Sequence, residues 1–127
     1  MQTIDEFVQS LKYDAKGLIP AVLQDYTNKD VLMVAYMNAE SLTQTLKSGK
    51  ATYFSRSRNK LWLKGETSGH YQHVKEITFD CDRDTLLIAV DQMGVACHEG
   101  YRSCFFREVA IVDSDKVEER LCARKPE

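Results

Sequence analysis

Residues 17–37 read GLIPAVLQDYTNKDVLMVAYM, and the fold class turns on how this stretch is parsed. PAVLQDY and VLMVAYM are both rich in branched and aromatic residues, as strands are. The polar TNKD between them has turn chemistry. Two strands joined as a hairpin are therefore expected here, with Gly17 and Pro20 bracketing the way in.

Working outward, Thr3 and Glu6 stand at capping-box spacing, and Ile4, Phe7, Val8 and Leu11 fall on one helical face. This predicts a short helix over about residues 4–12. Downstream, Asn38 caps a second helix through AESLTQTLKSG, with Leu42 and Leu46 inward and Gly49 as its stop. ATYFSRS and KLWLKG read as strands joined near Arg58 and Asn59. HYQHVKEITFD and TLLIAVDQ read as strands flanking an acidic turn, and SCFFREVAIV as a last strand. The charged tail from Asp113 is expected to hold a frayed helix. No repeat, low-complexity segment or linker interrupts the chain. The sum is a strand-rich α+β single domain with two short helices.

At 127 residues the chain is long enough for one modest core. A net charge of −2 predicts neither a nucleic-acid binder nor a polybasic membrane protein. No apolar run approaches the roughly 20 residues of a spanning helix. MQTIDEFVQS carries acids and lacks the basic start and apolar stretch of a secretory signal. The reading is a cytoplasmic protein, in which clustered cysteines serve metals or catalysis more often than disulfides.

Three of the four cysteines lie in DCDRDTLLIAVDQMGVACHEGYRSC, residues 80–104. Thiolates suit zinc, and a catalytic zinc needs only three protein ligands. Cys81, Cys97 and Cys104 supply three, without the paired spacing of a closed four-cysteine site. His98 offers a fourth ligand or a base beside the metal. The plainer reading is that cysteine is simply a good buried residue. Cys122, alone in the tail, is given no role. Asp80, Asp82 and Asp84 alternate with Cys81 and Arg83. In an extended strand the outer two carboxylates stand roughly 13 Å apart, too far for one ion. Sharing a hard cation requires the backbone to curl. The segment is no EF-hand, since Thr85 takes the glycine position and Asp91 that of the glutamate. Mg²⁺ held by carboxylates, water and a phosphate fits better; the alternative is a solvated acidic turn.

The second unusual stretch is YFSRSRNKLWLKGETSGH. Alternation puts Phe54, Arg56 and Arg58 on one face of the first strand, and Trp62 and Lys64 together on the return. Arg56, Arg58 and Lys64 suit phosphates, and Trp62 suits stacking on a base. GETSGH offers backbone donors and hydroxyls in a glycine-flanked turn. An edge hairpin kept soluble by its charges has the same composition.

Taken together, GLIPAVLQD, VLMVAYMN, YFSRSR, LWLKGETSGH, DCDRDTLL and ACHEGYRSCF, in that order, resemble the phosphoribosyl-AMP cyclohydrolase family of histidine biosynthesis. The resemblance runs from about Gly17 to Phe105. It implies a family-like core over about residues 17–108 and a charged tail at 113–127. It also implies zinc on Cys81, Cys97 and Cys104, and magnesium on Asp80, Asp82 and Asp84. It implies an intertwined homodimer whose zinc site takes Cys81 from the other chain. The implied reaction is hydrolysis of the N1–C6 bond of 1-(5-phosphoribosyl)-AMP, with His98 moving the proton. Arg56, Arg58, Trp62, Lys64, Glu66, Ser68 and His70 then become the substrate-binding candidates. The fused pyrophosphatase of some family members is not expected in so short a chain, which leaves the preceding step to another protein.

The rival outside enzymology is a non-catalytic, zinc-stabilised module that binds a nucleotide or RNA through the RSR hairpin and Trp62. The negative net charge and the open ligand set count against it. A zinc deaminase is the rival among enzymes, but the H-x-E and P-C-x-x-C signature is missing. A dimeric structural protein with buried cysteines and no metal is the third.

Overall fold

The computed structural model describes residues 1–126. Its elements are α1 (Ile4–Gln9), β1 (Ile19–Asp25), β2 (Val31–Met37), α2 (Ala39–Ser48), β3 (Thr52–Ser55), β4 (Lys60–Leu63), β5 (Gln72–Phe79), β6 (Leu86–Gln92), β7 (Arg107–Asp113) and β8 (Lys116–Leu121). β1 and β2 form the expected antiparallel hairpin, with Val22 opposite Val34. β1 then pairs in parallel with β6, and β6 antiparallel with β5, giving a four-stranded sheet in the order β2-β1-β6-β5. The pairs β3–β4 and β7–β8 are separate two-stranded ribbons.

Period-two alternation decides what the sheet buries. Ile19, Ala21 and Leu23 of β1 and Leu86, Ile88 and Val90 of β6 are fully buried, packed with Leu32, Met37, Leu42 and Tyr53. Fully burying one such aliphatic side chain is worth about 1.5–3 kcal/mol. The opposite face carries Pro20, Val22, Val34, Tyr36 and Leu87, paired laterally by register, and Val34 there is 48% exposed. An apolar sheet face left this open calls for a cover.

Local chemistry sets the helices. The Thr3–Glu6 capping box forms as the spacing predicts. Asn38 and Ser41 cap α2 reciprocally, and Gly49 ends it at φ 75°, where a side chain would be strained. α1 is shorter than expected. The Ser10 hydroxyl bonds back to the Phe7 carbonyl at 2.6 Å, and the Lys12 amide goes to the Arg83 carbonyl at 2.8 Å, drawing the chain out of the helix.

The C-terminal region corrects the sequence reading twice. The last expected strand starts at Arg107 rather than Ser103, because Ser103 and Cys104 are tied to β2: the Cys104 amide donates to the Leu32 carbonyl at 2.7 Å. The tail holds a strand, β8, in place of a frayed helix. Val117 and Leu121 are four apart, a spacing shared by helix and strand. The edge of β7 settles the matter, with Arg120 Nε and Glu108 Oε1 at 2.8 Å across the ribbon. The β7–β8 ribbon leaves Val109, Ile111, Val117 and Leu121 exposed, Ile111 by 83%. A two-stranded ribbon is marginal alone in water.

Candidate active site

Cys97 lies in a short loop after β6. The Ala96 amide donates to the Arg102 carbonyl at 3.0 Å, the Cys97 amide to the Tyr101 carbonyl at 3.1 Å, and the Glu99 amide to Cys97 Sγ at 3.4 Å. Arg102 anchors the loop to the β1–β2 turn through Asp25 at 2.6 Å and Asp30 at 2.8 Å. Cys104 follows, fixed to β2 by its amide. The two thiols are neighbours. Burial, then the adjacent Cys97, pushes the Cys104 thiol up to about 11, against the pull of Lys64.

Lys64, just past β4, is only 8% exposed. Its ammonium donates to the Ala96 carbonyl at 2.5 Å and lies 5.4 Å from the Trp62 ring centroid. Burial lowers its pKa, while the charges of Cys104 and Cys97 work the other way. Lys64 thus braces the cysteine loop from beneath. An amine so committed is a fixed local charge more than a mobile phosphate hook.

Two cavities flank the ridge made by Trp62 and Lys64. One, of about 500 Å³, is lined by Tyr36, Tyr53, Arg56, Arg58, His98 and Cys104 among others. The other, of about 370 Å³, is lined by Glu66, Ser68, His70, Cys97 and His98. Trp62, Lys64 and His98 border both, and each cavity presents one thiol of the pair. Every substrate-binding candidate named from the sequence therefore faces this one region. Arg56 and Arg58 reach it from a turn, since β3 ends at Ser55, and not from the strand face that alternation predicted. The Arg56 guanidinium stacks 4.1 Å above the Tyr36 ring. Tyr36 was not singled out from sequence; its signal was its place opposite the core-facing residues of VLMVAYM.

Behind the ridge runs a buried polar chain that sequence gave no hint of. The Tyr53 hydroxyl donates to Gln72 Oε1, Gln72 Nε2 to Gln92 Oε1 at 2.8 Å, and Gln92 Nε2 to the His70 carbonyl at 3.5 Å. Burial raises the Tyr53 pKa well above its ordinary value, so the phenol stays a donor.

Cys81 is elsewhere. It is exposed in the turn between β5 and β6, with Sγ 3.7 Å from Asp82 Oδ1. The backbone of that turn does curl, with Arg83 at φ 63°. Arg83 is pinned by Nε donating to the Ser10 carbonyl at 3.1 Å. The curl brings oxygens of Asp80, Asp82 and Asp84 within 4.8 Å of one another. The carboxyl of Asp80 is pressed up by burial, but amide bonds from Asp84 and Thr85 outweigh this and hold it below its usual range. That of Asp84 is raised, first by its hydrogen bond to Asp80, then by burial and the charges of Asp80 and Asp82. This trio is the only close set of three ligating groups among the described residues. So Cys97 and Cys104 fit two positions of a zinc site by donor chemistry, and the acids fit a hard cation. The third sulfur does not join the pair within one protomer.

Residues 33–106 match the family described as phosphoribosyl-AMP cyclohydrolase. A phosphoribosyl-AMP cyclohydrolase of Chlorobaculum tepidum is 54% identical over 117 residues, covering 92% of this chain and 84% of that protein. One from Clostridium botulinum is 54% identical over 107 residues, 84% of this chain and 98% of its own. A histidine biosynthesis bifunctional protein HisIE of Thermoanaerobacter pseudethanolicus is 55% identical over 118 residues, 90% of this chain. The matched region is 55% of that bifunctional relative, so the chain spans about half its length.

Proposed function

The chain belongs to the phosphoribosyl-AMP cyclohydrolase family, and from that premise we propose that it hydrolyses the N1–C6 bond of the adenine ring of 1-(5-phosphoribosyl)-AMP, the third step of histidine biosynthesis. The observation that carries this reading is the ridge of Trp62 and Lys64, with a cavity on either side and His98 and a thiol opening into each. A substrate with a purine between two ribose monophosphates needs an aromatic platform, a reactive centre beside it, and cationic reach at its ends.

In this reading Trp62 stacks on the purine, and Arg56 and Arg58 hold one phosphate. Glu66, Ser68 and His70 line the other end. The reaction takes a proton from the attacking water and delivers one to N1 as the ring opens. His98 is exposed, has no side-chain hydrogen bond among the described residues, and borders both cavities, which suits it to carry that proton. Zinc on Cys97, Cys104 and Cys81 of the partner subunit would supply Lewis-acid activation of water near neutral pH. Asp80, Asp82 and Asp84 would hold Mg²⁺ and, through it, a substrate phosphate.

A homodimer supports this arrangement. It supplies the missing sulfur, and it gives the open sheet face around Val34 and the apolar side of the β7–β8 ribbon something to cover. On this reading the protein is cytoplasmic, a compartment in which its four free cysteines would stay reduced. No helix among the described residues is long and apolar enough to cross a membrane.

The test is metal analysis of the purified protein followed by incubation with phosphoribosyl-AMP. Ring opening in the ultraviolet spectrum, without ammonia, is expected. Ammonia release would indicate deamination, and tight binding without turnover a non-catalytic module.

A further inference from the structure

His70 is held more tightly than a surface loop histidine needs to be. Gly94, at φ +68°, lies directly against its imidazole: a Cβ built there stands 2.7 Å from both Cγ and Nε2. Gly65, at φ +90°, lies against its backbone, where a Cβ stands 2.6 Å from the His70 carbonyl carbon and 2.5 Å from the Tyr71 nitrogen. These separations are closer than carbon atoms approach, so both contacts need glycine. The Ser68 hydroxyl accepts the His70 amide at 3.1 Å, and Gln92, at the end of the buried Tyr53–Gln72 chain, reaches its carbonyl. The ring nitrogens have no hydrogen-bond partner among the described residues, yet the ring lines the cavity that holds Cys97 and His98.

We propose that Gly94 is a positioning residue that seats the His70 imidazole as a hydrogen-bonding wall of the substrate cavity. The proposal rests on the cyclohydrolase reading for its ligand. Its geometry is independent of that reading. A ring held against a glycine Cα has lost rotamer freedom before substrate arrives, which lowers the cost of binding. The three atoms nearest a methyl at position 94 all belong to this ring, with Cδ2 the closest.

The experiment is a cycle of Gly94→Ala, His70→Ala and the double variant, with melting temperature followed on all. Gly94→Ala is expected to raise KM about tenfold and leave kcat within about twofold, since a wall contact is made in ground and transition states alike. His70→Ala should do the same, and adding Gly94→Ala to it should cost no further KM. The strain of alanine at positive φ is common to both backgrounds and cancels. If Gly94→Ala does not fold, Gly94→Asn takes its place, because asparagine accepts this φ while still carrying a Cβ. Wild-type KM in the glycine variant, additive losses in the double, or a fall in kcat alone overturns the proposal. Ring NMR of the three histidines provides a readout without turnover. The His70 signals should move in Gly94→Ala while those of His73 stay. Should phosphoribosyl-AMP prove not to be a substrate, the cyclohydrolase reading falls, and superimposable His70 signals would separately sink the positioning role.

Discussion

Two groups of metal-type ligands sit in this protein, and they are built in opposite ways. Cys97 and Cys104 are anchored: backbone bonds tie the buried Cys97 to Tyr101 and the exposed Cys104 to Leu32, and a buried lysine faces both. Asp80, Asp82, Asp84 and Cys81 stand in the open, on a turn whose carboxylates crowd one another. On the proposed reading the anchored pair is pre-shaped but one sulfur short of a zinc site. The open turn has a sulfur and no buried thiol beside it. The difference teaches that, if the proposal holds, each is half of a site and the open half is exposed because another surface is to meet it.

The sharpest way to break this comparison is to damage the two halves separately and recombine them. Cys97→Ser and Cys81→Ser should each lose zinc and lower kcat by about 10³-fold or more, as the loss of several kcal/mol of Lewis-acid stabilisation implies. Mixing the two variants under conditions that exchange subunits should restore activity. Random reassociation makes half the dimers hybrid, each with one intact site, so recovery tends to about a quarter of wild type. No recovery would mean that the sulfurs do not come from two chains.

Next in size is the effect of pH on metal affinity. With its thiol pushed up to about 11, Cys104 is protonated at neutral pH when no cation is present. A metal must displace that proton. Affinity should therefore rise with pH, by about tenfold per unit for the one proton that leaves Cys104. Competition against a chelator of known affinity at several pH values measures the slope. At the acidic turn, where amide bonds hold the Asp80 carboxyl below its usual range, Mg²⁺ binding should show a smaller slope over the same range. Equal slopes would erase the contrast.

A smaller effect is expected at the ribbon. Ile111→Glu puts a charge on the apolar side of β7 without touching either half-site. It should weaken dimerisation about tenfold or more, as truncation of an apolar interface anchor does. Sedimentation velocity across a dilution series reads this directly. An unchanged dimer would move the interface elsewhere.

What the sequence told in advance follows the same line between local and distant. Asn38 and Gly49 announced α2, and TNKD announced the β1–β2 hairpin, because caps and turns are decided by neighbours in the chain. The substrate-binding candidates were readable as residue types, and they share one region. What was not readable depended on distant pairing. The parallel contact of β1 with β6 sets where the cysteine loop returns, so nothing local revealed that Cys81 stands apart from Cys97. The burial of Lys64 beneath the Ala96 carbonyl is a tertiary fact that no local pattern shows. Strand β8 was misread because Val117 and Leu121 suit either period. Arg56 and Arg58 were placed on a strand that stops at Ser55, before either of them.

The finest probe of the comparison is Asp84→Asn. The Asp84 carboxyl is raised by its hydrogen bond to Asp80 and by the charges around it. A carboxyl whose folded pKa lies above its unfolded value stabilises the fold at low pH and loses that contribution as pH rises through the folded pKa. Above that folded pKa and without cation, then, the ionised Asp84 works against folding. Asparagine removes the charge and keeps a donor for Asp80, which Asp84 itself offers only when protonated. Metal-free Asp84→Asn should melt slightly higher than wild type at pH 7, with the gap closing as pH falls through the raised Asp84 pKa, where the wild-type carboxyl is also neutral. Adding Mg²⁺ should reverse the order, raising the wild type and not the variant, since the cation binds only the folded turn. A variant that melts lower at pH 7 without metal would show that the turn is an ordinary solvated loop, and that its crowding costs the protein nothing.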